Sequence, residues 1–174
     1  MKKSLQEAID AAGTVSFDLF DTLIGRRCAR PEDVFLWLEE LHGDARGETF
    51  RGFAGERREA DREARRAAWE ERQAMEIGLE DIYRWLVNRH PEWQASAEEL
   101  MEAELACERR LLYPIHAGRE ILDYASAAGK EILFISDMYL PRSFCEEILT
   151  ACHLDTYDHF FLSSEVGELK SSGR

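Results

Sequence analysis

Residues 14–24, Thr-Val-Ser-Phe-Asp-Leu-Phe-Asp-Thr-Leu-Ile, restrict the fold of this chain more than any other stretch. Residues 15–17 read as a short strand, and Asp18 follows at once, so the strand would deliver a carboxylate to a loop. Asp21 and Thr22 add polar groups beside the same strand end, the usual location of a site in an open parallel sheet. Two later segments repeat the form. Glu131-Ile-Leu-Phe-Ile135 runs into Ser136-Asp137, and His159-Phe-Phe-Leu162 runs into Ser163-Ser164, with Lys170 a few residues on.

Helical patterns fill the rest. Leu5, Ala8, Ile9 and Ala12 recur at helical spacing, and Gly13 would end that helix before the first strand. Pro31 opens a second, with Val34, Phe35, Leu38 and Leu41 as its apolar side, before Gly43, Gly47, Gly52 and Gly55 break the pattern. Residues 56–73 are mostly Arg, Glu and Ala. Asp61 and Arg65 form an opposite-charge pair four apart, Ala60, Ala64, Ala67 and Ala68 permit close packing, and alternating charge makes a solvated face the expectation for the arginines. Residues 79–87 offer Ile82, Tyr83, Leu86 and Trp85 for contact, and Ser96 and Glu99 stand at capping-box spacing before Leu100, Leu105 and Leu111. The pattern changes at Pro114: a helix carrying Ile121, Leu122, Ala125 and Ala128 ends at Gly129, and residues 141–152 form the next. The economical reading is an α/β core interrupted by a helical insertion over residues 30–112.

Thirty-five acidic residues against 22 basic ones give a formal charge of -13, which excludes a general basic footprint for nucleic acid and disfavours docking on anionic lipid. The longest aliphatic and aromatic run, residues 132–135, is too short to span a membrane, and the start lacks a secretory apolar stretch. Cys28, Cys107, Cys145 and Cys152 include no Cys-x-x-Cys pair and read as reduced thiols of a cytoplasmic protein; with the five histidines they form no zinc pattern. Arg26, Arg27 and Arg30 lie near the passage between core and insertion, where a solvated surface role competes with meeting an anion, and His116 reads as a helix-start or surface residue. Taken singly, Asp18 is a turn former, Ser136 a strand-end hydroxyl and Lys170 an exposed lysine. Their ordered combination is what points to chemistry.

Ser16-Phe-Asp-Leu-Phe-Asp-Thr-Leu23 resembles the first motif of the haloacid dehalogenase superfamily, a family dominated by phosphate-handling enzymes. The resemblance extends to Ile132-Leu-Phe-Ile-Ser-Asp-Met-Tyr-Leu-Pro141 and to Ser163-Ser-Glu-Val-Gly-Glu-Leu-Lys-Ser-Ser-Gly173. More narrowly, these strings look like a bacterial predicted-hydrolase subgroup associated with glycosyltransferases or surface-polysaccharide genes. The resemblance implies a Rossmann-like parallel-sheet core over residues 1–29 and 113–174, with residues 30–112 as an inserted all-helical cap. It implies a Mg²⁺-dependent phosphatase acting on a small phosphorylated substrate. Asp18 would attack phosphorus, Ser136 would donate to a phosphate oxygen, and Lys170 would compensate the charge of both. Thr22 and Asp137 would bind phosphate or support the loops, and Mg²⁺ would take Asp18 and the main-chain carbonyl of Phe20.

Phosphatases of that family place a second Asp two residues after the nucleophile, where this chain has Phe20. Haloacid dehalogenases accept an aromatic there, which leaves a carbon–halogen hydrolase as one alternative. A non-catalytic regulatory or assembly domain of a polysaccharide-related protein is another. The chain also stops at Arg174, before the further strand and acidic metal ligands of the family. The resemblance therefore implies the N-terminal part of a longer protein: a sheet incomplete at its C-terminus, Mg²⁺ binding weak or absent, activity impaired, and an exposed edge open to a homodimer or a glycosyltransferase partner.

Overall fold

The computed structural model describes residues 2–46 and 50–173; Gly47, one of the expected helix breakers, lies outside them, and of residues 43–46, 94 and 95 only the backbone is described. In chain order the elements are α1 (Lys3–Ala11), β1 (Thr14–Phe17), β2 (Ile24–Arg26), α2 (Asp33–Arg46), α3 (Phe53–Arg72), α4 (Leu79–Arg89), α5 (Ala97–Leu111), β3 (Leu112–Pro114), α6 (His116–Ala127), β4 (Glu131–Ser136), α7 (Arg142–Ala151), β5 (His159–Leu162) and α8 (Ser163–Val166). They form a mixed α/β fold around a parallel sheet of order β1-β4-β5.

The register sets Phe17 against Phe134 and Phe134 against Phe160, so alternate residues of all three strands share one face. There Phe17, Ile132, Phe134, Phe160 and Leu162 pack with Ile9 of α1, Leu122 and Ala125 of α6, and Phe144, Ile148 and Leu149 of α7. The opposite face is less covered: Ser16, His159 and Phe161 are exposed and Ile135 is half-buried. Both crossovers, β1 to β4 and β4 to β5, step across the sheet in the same direction. The carboxyl ends of three neighbouring strands therefore meet along one rim without a reversal of strand order.

Between β2 and β3 the described chain is almost wholly helical. α2, α3, α4 and α5 enclose a second apolar cluster that includes Val34, Phe35, Leu38, Phe53, Ile82, Tyr83, Leu86 and Leu100. Ala60, Ala64 and Ala68 are buried along one side of α3 and let it lie close against α4. Several expectations need correction. Leu41 points outward with Leu36 and Trp37, because only Val34, Phe35 and Leu38 fall on the inner stripe of α2. Gly43 continues α2 and Gly55 lies inside α3, while Gly52, at φ +87°, is the break immediately before α3. The capping box does not form, since the Ser96 hydroxyl donates to the Trp93 carbonyl at 3.3 Å rather than capping α5.

β2 and β3 pair antiparallel, Ile24 with Pro114 and Arg26 with Leu112, a small sheet that the sequence pattern does not predict. It brings the start and finish of the helical unit side by side. Gly118 in the first turn of α6 lies against this stem, where a Cβ would collide with the Thr22 carbonyl oxygen and approach Leu23 Cδ2 to 3.1 Å. The four cysteines are free, and burial pushes the Cys145 thiol up to about 12. No helix among the described residues is long and apolar enough to cross a membrane. Gly118→Ala must displace backbone rather than a flexible side-chain tip, so the urea midpoint should fall by an amount equivalent to about 1–3 kcal/mol, read by circular dichroism.

Candidate functional site

The strand rim is shaped first by the turn after β1. The Leu19 carbonyl accepts from the amides of Leu23 at 2.8 Å, Ile24 at 2.9 Å and Thr22 at 3.3 Å, which winds the chain tightly enough to start β2 at once. Asp21 takes the left-handed conformation, φ 61°, its amide donating to the Ile24 carbonyl at 2.7 Å. Asp18, half-buried at the end of β1, is left facing the rim, and the Thr22 hydroxyl donates to its Oδ2 at 3.3 Å.

Lys170 joins two strand ends at once. Its ammonium donates to Asp18 Oδ1 at 2.6 Å, while its own amide donates to Asp137 Oδ1 at 3.0 Å and lies 3.3 Å from Oδ2. Asp137 thus supports the lysine through backbone, and Asp18 receives the charge. Ser136, the last residue of β4, is 1% exposed, and its Oγ has no hydrogen-bond partner among the described residues. A buried hydroxyl without a partner costs free energy unless a ligand or water supplies one. Ser136, Asp137 and Lys170 line a cavity of about 370 Å³, walled otherwise mainly by Ile135, Phe161, Val166 and Leu169. Asp18 is not part of that wall and is connected to it through Lys170.

Phe20 contributes a buried ring rather than a polar side chain: it belongs to the sheet core, with the Arg26 guanidinium 4.7 Å from its centroid. Arg26 is itself committed to Glu108, at 3.1 Å with both side chains nearly inaccessible, so it is not placed to meet an anion. Burial pushes the Glu108 carboxyl up, against the pull of Arg26. Arg27 and Arg30 are exposed, as is His116, which starts α6 and lies 3.3 Å from Glu120. Among the described residues no three His, Cys, Asp or Glu side chains converge as a metal site.

Glu76, Arg57 and Glu104, which help hold this rim against the helices, carry no local motif in the sequence. The Met138 amide donates to Ser163 Oγ at 2.8 Å, and that hydroxyl lies 3.3 Å from Oε2 of Glu76, a buried carboxylate in the α3–α4 connection. Glu76 also accepts from the Ile77 amide at 2.9 Å and pairs with Arg65. Two backbone bonds flank it, Met75 amide to Gly167 carbonyl at 2.7 Å and Leu79 amide to Tyr139 carbonyl at 2.9 Å. Deeper in, Arg57 and Glu104 form a bidentate pair at 2.8 Å with both side chains inaccessible. The Tyr139 hydroxyl, from the segment after β4, donates to Glu104 Oε1 at 3.2 Å. Burial is the largest influence on Arg57 and opposes its charge, yet Glu104, Tyr139 and Tyr83 together outweigh it and raise the guanidinium pKa; burial and then the Glu104 carboxylate hold the Tyr83 and Tyr139 phenols well above their usual range. The solvated-face expectation therefore fails for Arg57. Its position three, seven and eleven residues before Ala60, Ala64 and Ala68 was the available signal, because that spacing puts it on the buried stripe.

Protein-family models and curated proteins give no match to this sequence. Glu76→Ala should free the Ser163 hydroxyl and remove the carboxylate partner of the part-exposed Arg65, lowering stability by about 1–3 kcal/mol. The specific sign is faster hydrogen exchange at the Met138 amide than at the Ile135 amide relative to the parent chain. Equal changes at both amides would mean that Glu76 stabilises the fold without holding this loop.

Proposed function

We propose that this chain is a haloacid dehalogenase-type hydrolase acting on small phosphate monoesters, with Asp18 as nucleophile, Ser136 as a hydrogen-bond donor to the phosphate and Lys170 as the charge that steadies both. The observation that carries the reading is the two-ended placement of Lys170, its ammonium 2.6 Å from Asp18 and its amide on Asp137, beside the unpartnered Ser136 hydroxyl. The parallel sheet with α6 and α7 on one face supports a Rossmann-like core, and the separate cluster formed by α2, α3, α4 and α5 supports reading residues 30–112 as its cap. In this scheme an Asp18 oxygen attacks phosphorus, the P–O bond to the substrate breaks, and the electron pair leaves with the alkoxide or phenoxide. Water then attacks the aspartyl-phosphate, releasing inorganic phosphate and restoring the carboxylate.

Mg²⁺ suits the donor chemistry in kind, being a hard cation that takes oxygen, though this chain offers few ligands. Asp18 and the Phe20 carbonyl would hold it, with phosphate and water completing the shell, and it would supply neutralisation of phosphate charge. Lys170 performs part of that neutralisation already, and Ser136 orients the phosphate by donation.

The burial of Phe20 under Arg26 favours a second reading, in which the rim binds phosphate and the domain serves regulation or assembly without efficient turnover. With no acid at that position, departure of a poor leaving group lacks the roughly 10²–10⁴-fold assistance that general acid catalysis gives. Hydrolysis should therefore favour aryl and acyl phosphates over alkyl phosphates. A phosphate-release assay with Mg²⁺ across such a panel should give turnover that Asp18→Asn abolishes and that ranks by leaving-group pKa. Saturable phosphate binding without turnover would establish the regulatory reading. Turnover unchanged in Asp18→Asn, or neither binding nor turnover, would overturn the site; halide release from a 2-haloacid would replace the phosphatase by a dehalogenase.

A further inference from the structure

A second cavity, about 290 Å³, opens between α2, α5 and the residue following β2. It shares no lining residue with the cavity at the strand rim. Its walls are Trp37 and Leu41 from α2, Cys107, Arg110 and Leu111 from α5, and Arg27. Trp37 and Leu41 are 49% and 48% exposed, a large indole and an isobutyl group that no described part of the chain covers. The remainder of the wall is apolar except for two guanidinium groups.

Those guanidiniums differ from their neighbours. Arg26 pairs with Glu108 at 3.1 Å and Arg109 with Glu147 at 2.6 Å, so Glu108 and Glu147 are already engaged. Arg27 has a ring beside it, Tyr113 at 5.9 Å, but neither Arg27 nor Arg110 has a carboxylate partner among the described residues. In a chain with formal charge -13, a cavity whose described lining holds two cations without a carboxylate partner and no acid runs against the average composition. A lone solvated arginine is ordinary; two at one apolar cavity give that cavity a charge preference.

We propose that this cavity is a binding site for a small aromatic carboxylate. The indole and leucine surfaces take an apolar ring, and the planar guanidinium groups take a carboxylate by forked hydrogen bonds. The volume lies near the lower end of small-molecule sites, about 300–1,000 Å³, which fits one or two fused rings. A monoanion suits a mostly apolar wall better than a phosphate dianion, since desolvating the second charge costs more than the same two arginines return. The site is independent of the hydrolase reading.

The test is titration calorimetry of the whole chain with 2-naphthoate, with the Trp37 indole N–H followed by NMR to locate the binding. Saturable binding that shifts the Trp37 resonance is expected. The double variant Arg27→Gln/Arg110→Gln should weaken it at least tenfold, the double variant to Lys should weaken it less, and neutral 2-naphthylmethanol should bind at least tenfold more weakly than the acid. These substitutions are at exposed side chains, and unchanged thermal unfolding checks that the variants fold. The proposal is overturned by absent saturation, by binding indifferent to the Gln pair, or by inorganic phosphate displacing naphthoate. Concentration-dependent dimerisation that disappears in Trp37→Ala would also overturn it, because a second copy would then be the occupant.

Discussion

The buried Arg57–Glu104 pair is the constraint on which the placement of the strand rim depends. Taking both charges out of water costs several kcal/mol per ion, and the attraction returns it only when geometry and further hydrogen bonds are good. Here two 2.8 Å bonds, the Tyr83 and Tyr139 hydroxyls and the faces of Phe35, Tyr83 and Tyr139 supply that geometry. One Arg57 nitrogen, Nη1, still lacks a hydrogen-bond acceptor among the described residues, so the arrangement tolerates little displacement. Because Tyr139 follows directly on the Ser136-Asp137-Met138 segment, the position of α3 and α5 and that of the segment are fixed by the same contact. A packed apolar substitute would stabilise comparably but would not dictate where the segment sits.

Glu76 does from the edge what Glu104 does from the interior. The helical unit therefore grips the segment after β4 twice, through Ser163 and through Tyr139. This makes the helices part of the support for Ser136 and Asp137, and any opening motion that moved them together would have to break a buried carboxylate contact. For the phosphate proposed above, such a rim would be preorganised, its donors in place before binding, which reduces the reorganisation needed.

How much of this was legible follows from what each contact requires. β1, β4 and β5 were readable because an apolar run ending in Asp or Ser leaves a local mark, whereas Asp18, Ser136 and Lys170 were joined as a set only through the family resemblance. The Lys170–Asp18 contact itself spans 152 positions, and no local pattern encodes its distance. β2 and β3 escaped because three residues cannot show alternation, and their pairing depends on chain ends brought together by α2 and α5. Glu76 sits in a connection with no period, so its burial against Ser163 appears only in three dimensions. Arg57 was hidden differently: alternating charge suggested water on a face whose alanine spacing already indicated a core.

The pairing of β2 with β3 has a consequence for the architecture as a module. Adjacent strands lie about 4.8 Å apart, so everything between Arg26 and Leu112 leaves and returns through a gap one strand spacing wide. Loop-closure entropy grows only slowly with length, and such a neck accepts inserts of very different size at similar cost to the sheet. The helices can then diversify by replacement while the neck keeps Asp18 at the end of β1. What cannot be exchanged freely are the few side chains, Glu76, Glu104 and Arg57, through which the present insert holds the segment carrying Ser136; a new insert would have to evolve its own grip.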